Sequence, residues 1–491
     1  MSSDAREINP ESSHPDDKQI AQLSEVVEKC WDIAKTFGLD PYPTHFEIVP
    51  ASIMYEFAAY MVPGRFSHWT HGKAYYRQKT TYDYGLQKIY EMVINSNPAY
   101  AFLMDNNTLV NNILVIAHVL GHVDFFKNNH YFSHTNRQFV NTATLHAERI
   151  TEYENEHSVD EVEKFLDAAL SIEEHIDTTV WIKPNDYSQP FTDTKTVSDS
   201  PYADLWTVEE RKKAQEQEKE REKERERKRK FPPQPEKDLL RFIIMYSREL
   251  EDWQRDVLEI VRNEALYTLP MKQTKIMNEG WASLWHQRII HELDLDDAQY
   301  LEYAQTNAGV VSPHPKQLNP YYLGIKIWQD IERRWEEPNE YEREVLKRPG
   351  GQGRQKIFEV RELDNDVSFL RNYLTKELIE ELDMYVYEKQ DNEWVIVEKD
   401  WEKVRERIVG NMTNFGDPYI MVEDGDYKQN GELYLKHYYE GVPLDAGYAE
   451  KTLQYLHQLW GRNVHLETQN ENKRLLHSYD GRSNTKRVIT S

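Results

Sequence analysis

Apolar residues recur at spacings of three and four over positions 18–37 (Ile20, Leu23, Val26, Val27, Cys30, Ile33, Ala34), which predicts an amphipathic helix closed by Gly38. An extended piece at 46–49 and a helix over 52–61 follow, on either side of Pro50. The most apolar stretch of the chain is 107–126, which contains Val115-Ile116-Ala117-His118-Val119-Leu120-Gly121-His122. Its length and its lack of internal proline predict a buried helix rather than a strand. Amphipathic helices are also predicted over 135–156 and 160–175. Beyond 236 the residues Leu239, Phe242, Ile243, Tyr246, Leu250, Trp253, Val257, Ile260 and Val261 keep the helical period. Further helices are predicted over 274–291 and 321–335.

Two regions depart from this pattern. Residues 209–230 alternate Glu, Lys, Arg and Gln with almost no apolar position, and Pro232, Pro233 and Pro235 stop any helix there. A charged linker or helix at 208–235, inserted into a larger domain, is the expectation. After Pro349-Gly350-Gly351 the period changes to that of strands. Residues 385–387 and 394–397 flank Gln390-Asp391-Asn392 as a hairpin, and 419–422 with 433–439 form a second. Helices over 401–409 and 446–460, the latter closed by Gly461, and a strand at 464–467 complete a small module. The predicted fold class is therefore α+β: a frayed N-terminus (1–17), a large mainly helical domain (18–345) and a C-terminal α+β domain (355–480).

Composition narrows the chemistry. At about 150 residues per domain, 491 residues suggest two to four domains. The net charge of −25 argues against a polyanion such as DNA as the main partner, and the basic run at 227–230 is diluted by its own glutamates. Cys30 is the one cysteine, so a disulfide within the chain and a cysteine-based cluster are both excluded. Any metal must be held by histidine and carboxylate. The first 20 residues lack the apolar region of a signal peptide, and no apolar run is expected to reach the roughly 20 residues that span a bilayer. A cytoplasmic protein without membrane insertion is expected.

Among 18 histidines, His118 and His122 stand out. They are four apart on the most apolar helix, so both imidazoles share one face and can present two nitrogens to one cation. Their other reading is a pair of core histidines bonded to backbone or carboxylate. Glu279 and His286 are seven apart on a second predicted helix, and Gly280, Ala282 and Ser283 between them leave room for a neighbouring helix. Together the four would form a His/Glu shell for a divalent metal, with zinc the first candidate. A glutamate that caps a helix and a histidine packed beside Trp285 is the alternative. The arrangement resembles that of zincin peptidases, which carry HExxH on one helix and a glutamate ligand on the next. Val119, however, stands where those enzymes place the carboxylate that activates water. Glu148, near His146 and Glu152, and Glu264 are the candidate bases, with an exposed ion-pair surface as the other reading of 146–152. Arg65, His68, His71 and Lys73, interleaved with aromatics, suit an acidic or sugar-like ligand or else a plain polar loop. No GxxxxGKS/T, GxSxG or GxGxxG motif supports a nucleotide cofactor or a serine nucleophile.

Several long segments, in order, resemble the SpoVR (stage V sporulation protein R) family: 94–98 (INSNP), 115–129 (VIAHVLGHVDFFKNN), 235–242 (PEKDLLRF), 274–283 (TKIMNEGWAS), 367–374 (VSFLRNYL) and 459–461 (LWG). The resemblance covers roughly 18–470. It implies a cytoplasmic protein of spore formation that acts in assembly of the spore cortex, a modified peptidoglycan, with sporulation or cortex-assembly proteins as partners. Relatives in bacteria that do not sporulate imply a broader biochemical activity. The resemblance brings no catalytic residues with it. Two functions remain open at this point: a metal-dependent hydrolase of a peptide or peptidoglycan-precursor bond, and a non-catalytic assembly factor.

Overall fold

The computed structural model describes residues 17–83, 91–180, 230–313, 318–390, 393–470 and 473–489. The expected frayed N-terminus, apart from Asp17, and the charged run up to 229 lie outside the described residues. The chain forms two compact units, one from Met1–Arg149 with Tyr267–Gly416 and the other from Ile150–Leu266 with Asp417–Ser491. The cuts at 149, 266 and 416 differ from the sequence expectation of one break between 345 and 355.

The first unit is built around three helices, Leu109–Asn128, Lys275–His291 and Pro320–Glu336, with the second packed against the other two. In Leu109–Asn128 every residue from Asn112 to Phe126 is buried. A helix apolar on all sides belongs inside a core. By length and hydropathy it would also be able to cross a membrane, contrary to the reading that no run is long enough, but 89% of that window is buried within the fold. The Thr108 side chain caps its start by accepting the Asn111 N–H at 3.2 Å.

Lys275–His291 has no side-chain cap of its own at Thr274. Asp366 takes that part from another helix, accepting the N–H groups of Ile276 at 2.8 Å and Met277 at 2.9 Å. The close approach expected from the small residues is present. A Cβ on Gly121 would lie 2.7 Å from the Cα of Ala282, and one on Gly280 would overlap the backbone of Gly324. Asp124 ties the layers together. Fully buried, its carboxylate accepts from the Arg361 guanidinium at 2.8 Å, Trp281 Nε1 at 2.9 Å and the Asp40 N–H at 2.8 Å.

A three-stranded sheet flanks this core in the order β1-β3-β2, from β1 (Thr44–Val49), β2 (Met92–Ile94) and β3 (Ala99–Met104). β1 runs parallel to β3 and β2 antiparallel to it. The first predicted hairpin is also in this unit, as β4 (Val386–Gln390) and β5 (Glu393–Glu398), its turn at 391–392 outside the described residues.

The second unit holds a five-stranded sheet ordered β10-β9-β8-β7-β6, from β6 (Ile420–Tyr427), β7 (Glu432–His437), β8 (Val464–Asn470), β9 (Lys473–Tyr479) and β10 (Asn484–Val488). β6 and β7 are the second predicted hairpin. β7 and β8 pair in parallel, joined through the helix Ala446–Trp460. Gly461 closes that helix at φ +82°, a conformation that costs glycine nothing. The protein is thus mixed α+β.

Candidate metal centre

Four side chains from three separate segments of the first unit point at one place. His118 and His122 come from the buried helix, Glu279 from the helix beside it, and Glu91 from the residue just before β2. Their donor atoms all lie within 4.8 Å of one another. His118 Nε2 is 3.2 Å from Glu91 Oε1 and 3.7 Å from Glu279 Oε2, and for His122 Nε2 the two distances are 3.5 and 3.4 Å. Donors about 2.1 Å from a shared cation, at the corners of a tetrahedron, lie about 3.4 Å apart. Among the described residues, His118 Nε2 and Glu279 Oε2 are buried without a hydrogen-bond partner. Such atoms are costly in a folded interior, and a cation would satisfy both. The donor set therefore fits a divalent metal.

Both histidines are fixed from behind. His122 Nδ1 lies 2.9 Å from Asn278 Oδ1, an acceptor, so this nitrogen carries the proton and Nε2 is left for the centre. His118 Nδ1 lies 2.8 Å from His286 Nδ1, and His286 Nε2 lies 2.9 Å from Asn307 Oδ1, on the helix Asp297–Val310. Asn307 Oδ1 accepts from His286 Nε2–H, which leaves His286 Nδ1 to accept from His118. Outer partners of this kind set the tautomer of a ligating histidine.

Burial alone would neutralise these groups, and their mutual pairing opposes it. For His118 burial works against charge, but the Glu91 and Glu279 carboxylates outweigh it and raise the imidazole above its ordinary range. His122 is carried up to about 10 by the same balance. The carboxylates, which burial would raise, are pulled down by the histidines: Glu91 far below the usual range, Glu279 to about 2. His286 behaves oppositely, since burial and the charge on His118 push it down to about 3 and keep it a neutral acceptor. Tyr321 is held protonated by the charge of Glu279 and by burial. The cluster opens into a cavity of about 430 Å³ lined also by Lys275, Asn278, Thr306 and Tyr321.

The structure thus brings together His118, His122 and Glu279 as the spacing proposes. It sets His286 one layer back, both ring nitrogens engaged, and Glu91 is the fourth member of the cluster. Glu91 is not among the residues that the spacing points to. No motif marks it, and its only signal was a carboxylate next to a short apolar strand. Neither candidate base lines the cavity: Glu148 is exposed on the helix Phe139–His157, and Glu264 is buried on Asp252–Gln273 in the second unit. His68 and His71 are buried near the start of the helix Trp69–Asp83, also away from the cavity lining.

Fold and site together define a mixed α+β protein with a buried His₂Glu₂ cluster at the junction of core helices. The chain belongs to the SpoVR family: it matches "SpoVR like protein" over residues 17–417 and "SpoVR-like C-terminal domain" over 418–471. The border between those matches falls within one residue of the point where the chain enters the second unit for good. A relative from Escherichia coli (strain K12), described as "Uncharacterized protein YcgB", is 31% identical over 471 residues, covering 89% of this chain and 90% of that one. No solved structure matches.

Proposed function

We propose that this protein is a metal-dependent hydrolase of the cytoplasm, zincin-like in its use of HxxxH on one helix and a glutamate on the next. The observation that carries this is the convergence of four donors at 3.2–3.7 Å, two of them buried atoms with no hydrogen-bond partner. His118, His122 and Glu279 would hold the cation, zinc being favoured by nitrogen and oxygen donors in this number. Bound there, it would polarise a scissile carbonyl and lower the pKa of water. Val119 offers no base, and Glu91 fills that place. It comes from a loop rather than from either helix, and its Oε1 lies 3.2 and 3.5 Å from the two histidine Nε2 atoms, within reach of a water held at the same point. The Tyr321 hydroxyl, kept protonated, is a donor for the oxyanion that forms at the substrate carbonyl.

Membership of the SpoVR family supports a role in spore formation. On this reading a peptide or peptidoglycan-precursor bond of the cortex is the substrate, and cortex-assembly proteins are the partners. Elemental mass spectrometry on protein purified without chelator tests the metal reading. About one metal per chain in the wild type and none in His118→Ala are expected. His286→Leu, which removes an outer partner only, should still load but with roughly 10–100-fold weaker affinity. A wild type free of metal would leave the second reading, a non-catalytic assembly factor.

A further inference from the structure

Lys275 is the one lysine or arginine among the lining residues of the cavity around the cluster, is exposed at its wall, and has no ion pair among the described residues. Asp366, whose charge Lys275 feels, spends its oxygens on the backbone N–H groups of Ile276 and Met277. Three residues on, Asn278 is 8% exposed. Its Oδ1 is taken by His122, while its amide N–H₂ has no partner among the described residues. Residues at i, i+3 and i+4 share one face of a helix, so Lys275, Asn278 and Glu279 line the same wall, Lys275 one turn before Glu279 and the Asn278 amide beside His122. The other acids of the cavity, Glu91 and Glu279, face the histidines.

We propose that Lys275 and Asn278 clamp a substrate carboxylate, which makes the substrate a short peptide with a free C-terminus, cut within one or two residues of that end. The inference rests on the metal-hydrolase reading for its chemistry but not for the clamp. One helical turn is about 5.4 Å, and one residue of extended peptide covers about 3.3–3.6 Å. An end held at the clamp therefore sets the first or second amide over the His/Glu cluster. In the step itself water gives its hydroxyl to the acyl carbon, the C–N bond breaks, and the proton passed through Glu91 leaves on the released amine. A charge-assisted bond to the free carboxylate is what an amidated end would lack.

Calorimetric titration with N-acetyl-alanyl-alanine and with its C-terminal amide tests the clamp, with metal content measured on the same samples. The wild type should bind the acid about tenfold or more tightly than the amide. Lys275→Met should bring the two within about threefold, and Lys275→Arg should restore the preference. Equal binding of acid and amide by the wild type, or a preference unchanged in Lys275→Met, overturns the proposal. A metal-free wild type that still prefers the acid through Lys275 would refute the hydrolase reading and leave the clamp standing.

Discussion

At the scale of single residues, burial decides which groups are charged and which are fixed in place. The centre pairs two carboxylates with two imidazoles and so keeps charge in the interior, whereas His286, facing another histidine, stays neutral. Asp366 shows the cost of burying a charge with only backbone donors. Burial raises its carboxyl from 3.8 to about 7, against the pull of the Ile276 and Met277 N–H groups. Below about pH 4 the group is protonated in both folded and unfolded chains. Between about 4 and 7 the unfolded chain releases its proton while the folded chain retains it, so stability falls as pH rises through that window and levels off above it. Urea unfolding of wild type and Asp366→Asn at pH 5 and pH 8 checks this. The wild type should lose on the order of a few kcal/mol across the interval that the variant does not. Equal losses would place the titration elsewhere.

At the scale of elements, the distances within the centre depend on how closely three helices approach. Gly121 against Ala282 and Gly280 against Gly324 leave no space for a methyl group. Gly280→Ala drives a Cβ into the Gly324 backbone, so Pro320–Glu336, which carries Tyr321, must move away. A loss of about 1–3 kcal/mol or more is expected from overpacking. Metal affinity should fall with it, because Glu279 adjoins the contact. Thermal unfolding together with metal titration reads both, and a destabilised variant with unchanged affinity would separate the packing from the site. The small residues in 280–283 announced this approach in the sequence. The cap that Asp366 gives to Lys275–His291 did not show, since its two partners are 90 and 89 positions away.

For the molecule as a whole, the four donors come from three segments distant in the chain but within one compact unit. A bound cation would therefore act as a cross-link in the first unit only. Metal present at about 100 times its Kd stabilises by about 2.7 kcal/mol, so a chelator should lower the unfolding transition of that unit by several degrees and leave that of the second unit in place. Calorimetry with and without chelator resolves this, and a shift in both transitions, or in neither, would count against a centre confined to the first unit.

Hydrophobic period alone determined the main helices. Residues 18–37, 274–291 and 321–335 appear as Asp17–Thr36, Lys275–His291 and Pro320–Glu336, and both predicted hairpins form, as β4–β5 and β6–β7. It also determined that His118 and His122 share a face, since 3.6 residues per turn is a local property of the chain. What it left open depended on distance in space. Strands β9 and β10, which the pattern along the chain does not mark, hold their places by pairing. Glu91, which no spacing marks, completes the cluster and His286 stands behind it, because a ligand is chosen by which side chain reaches a common point. That geometry is set only when Gly121, Ala282, Gly280 and Gly324 let the helices close upon one another.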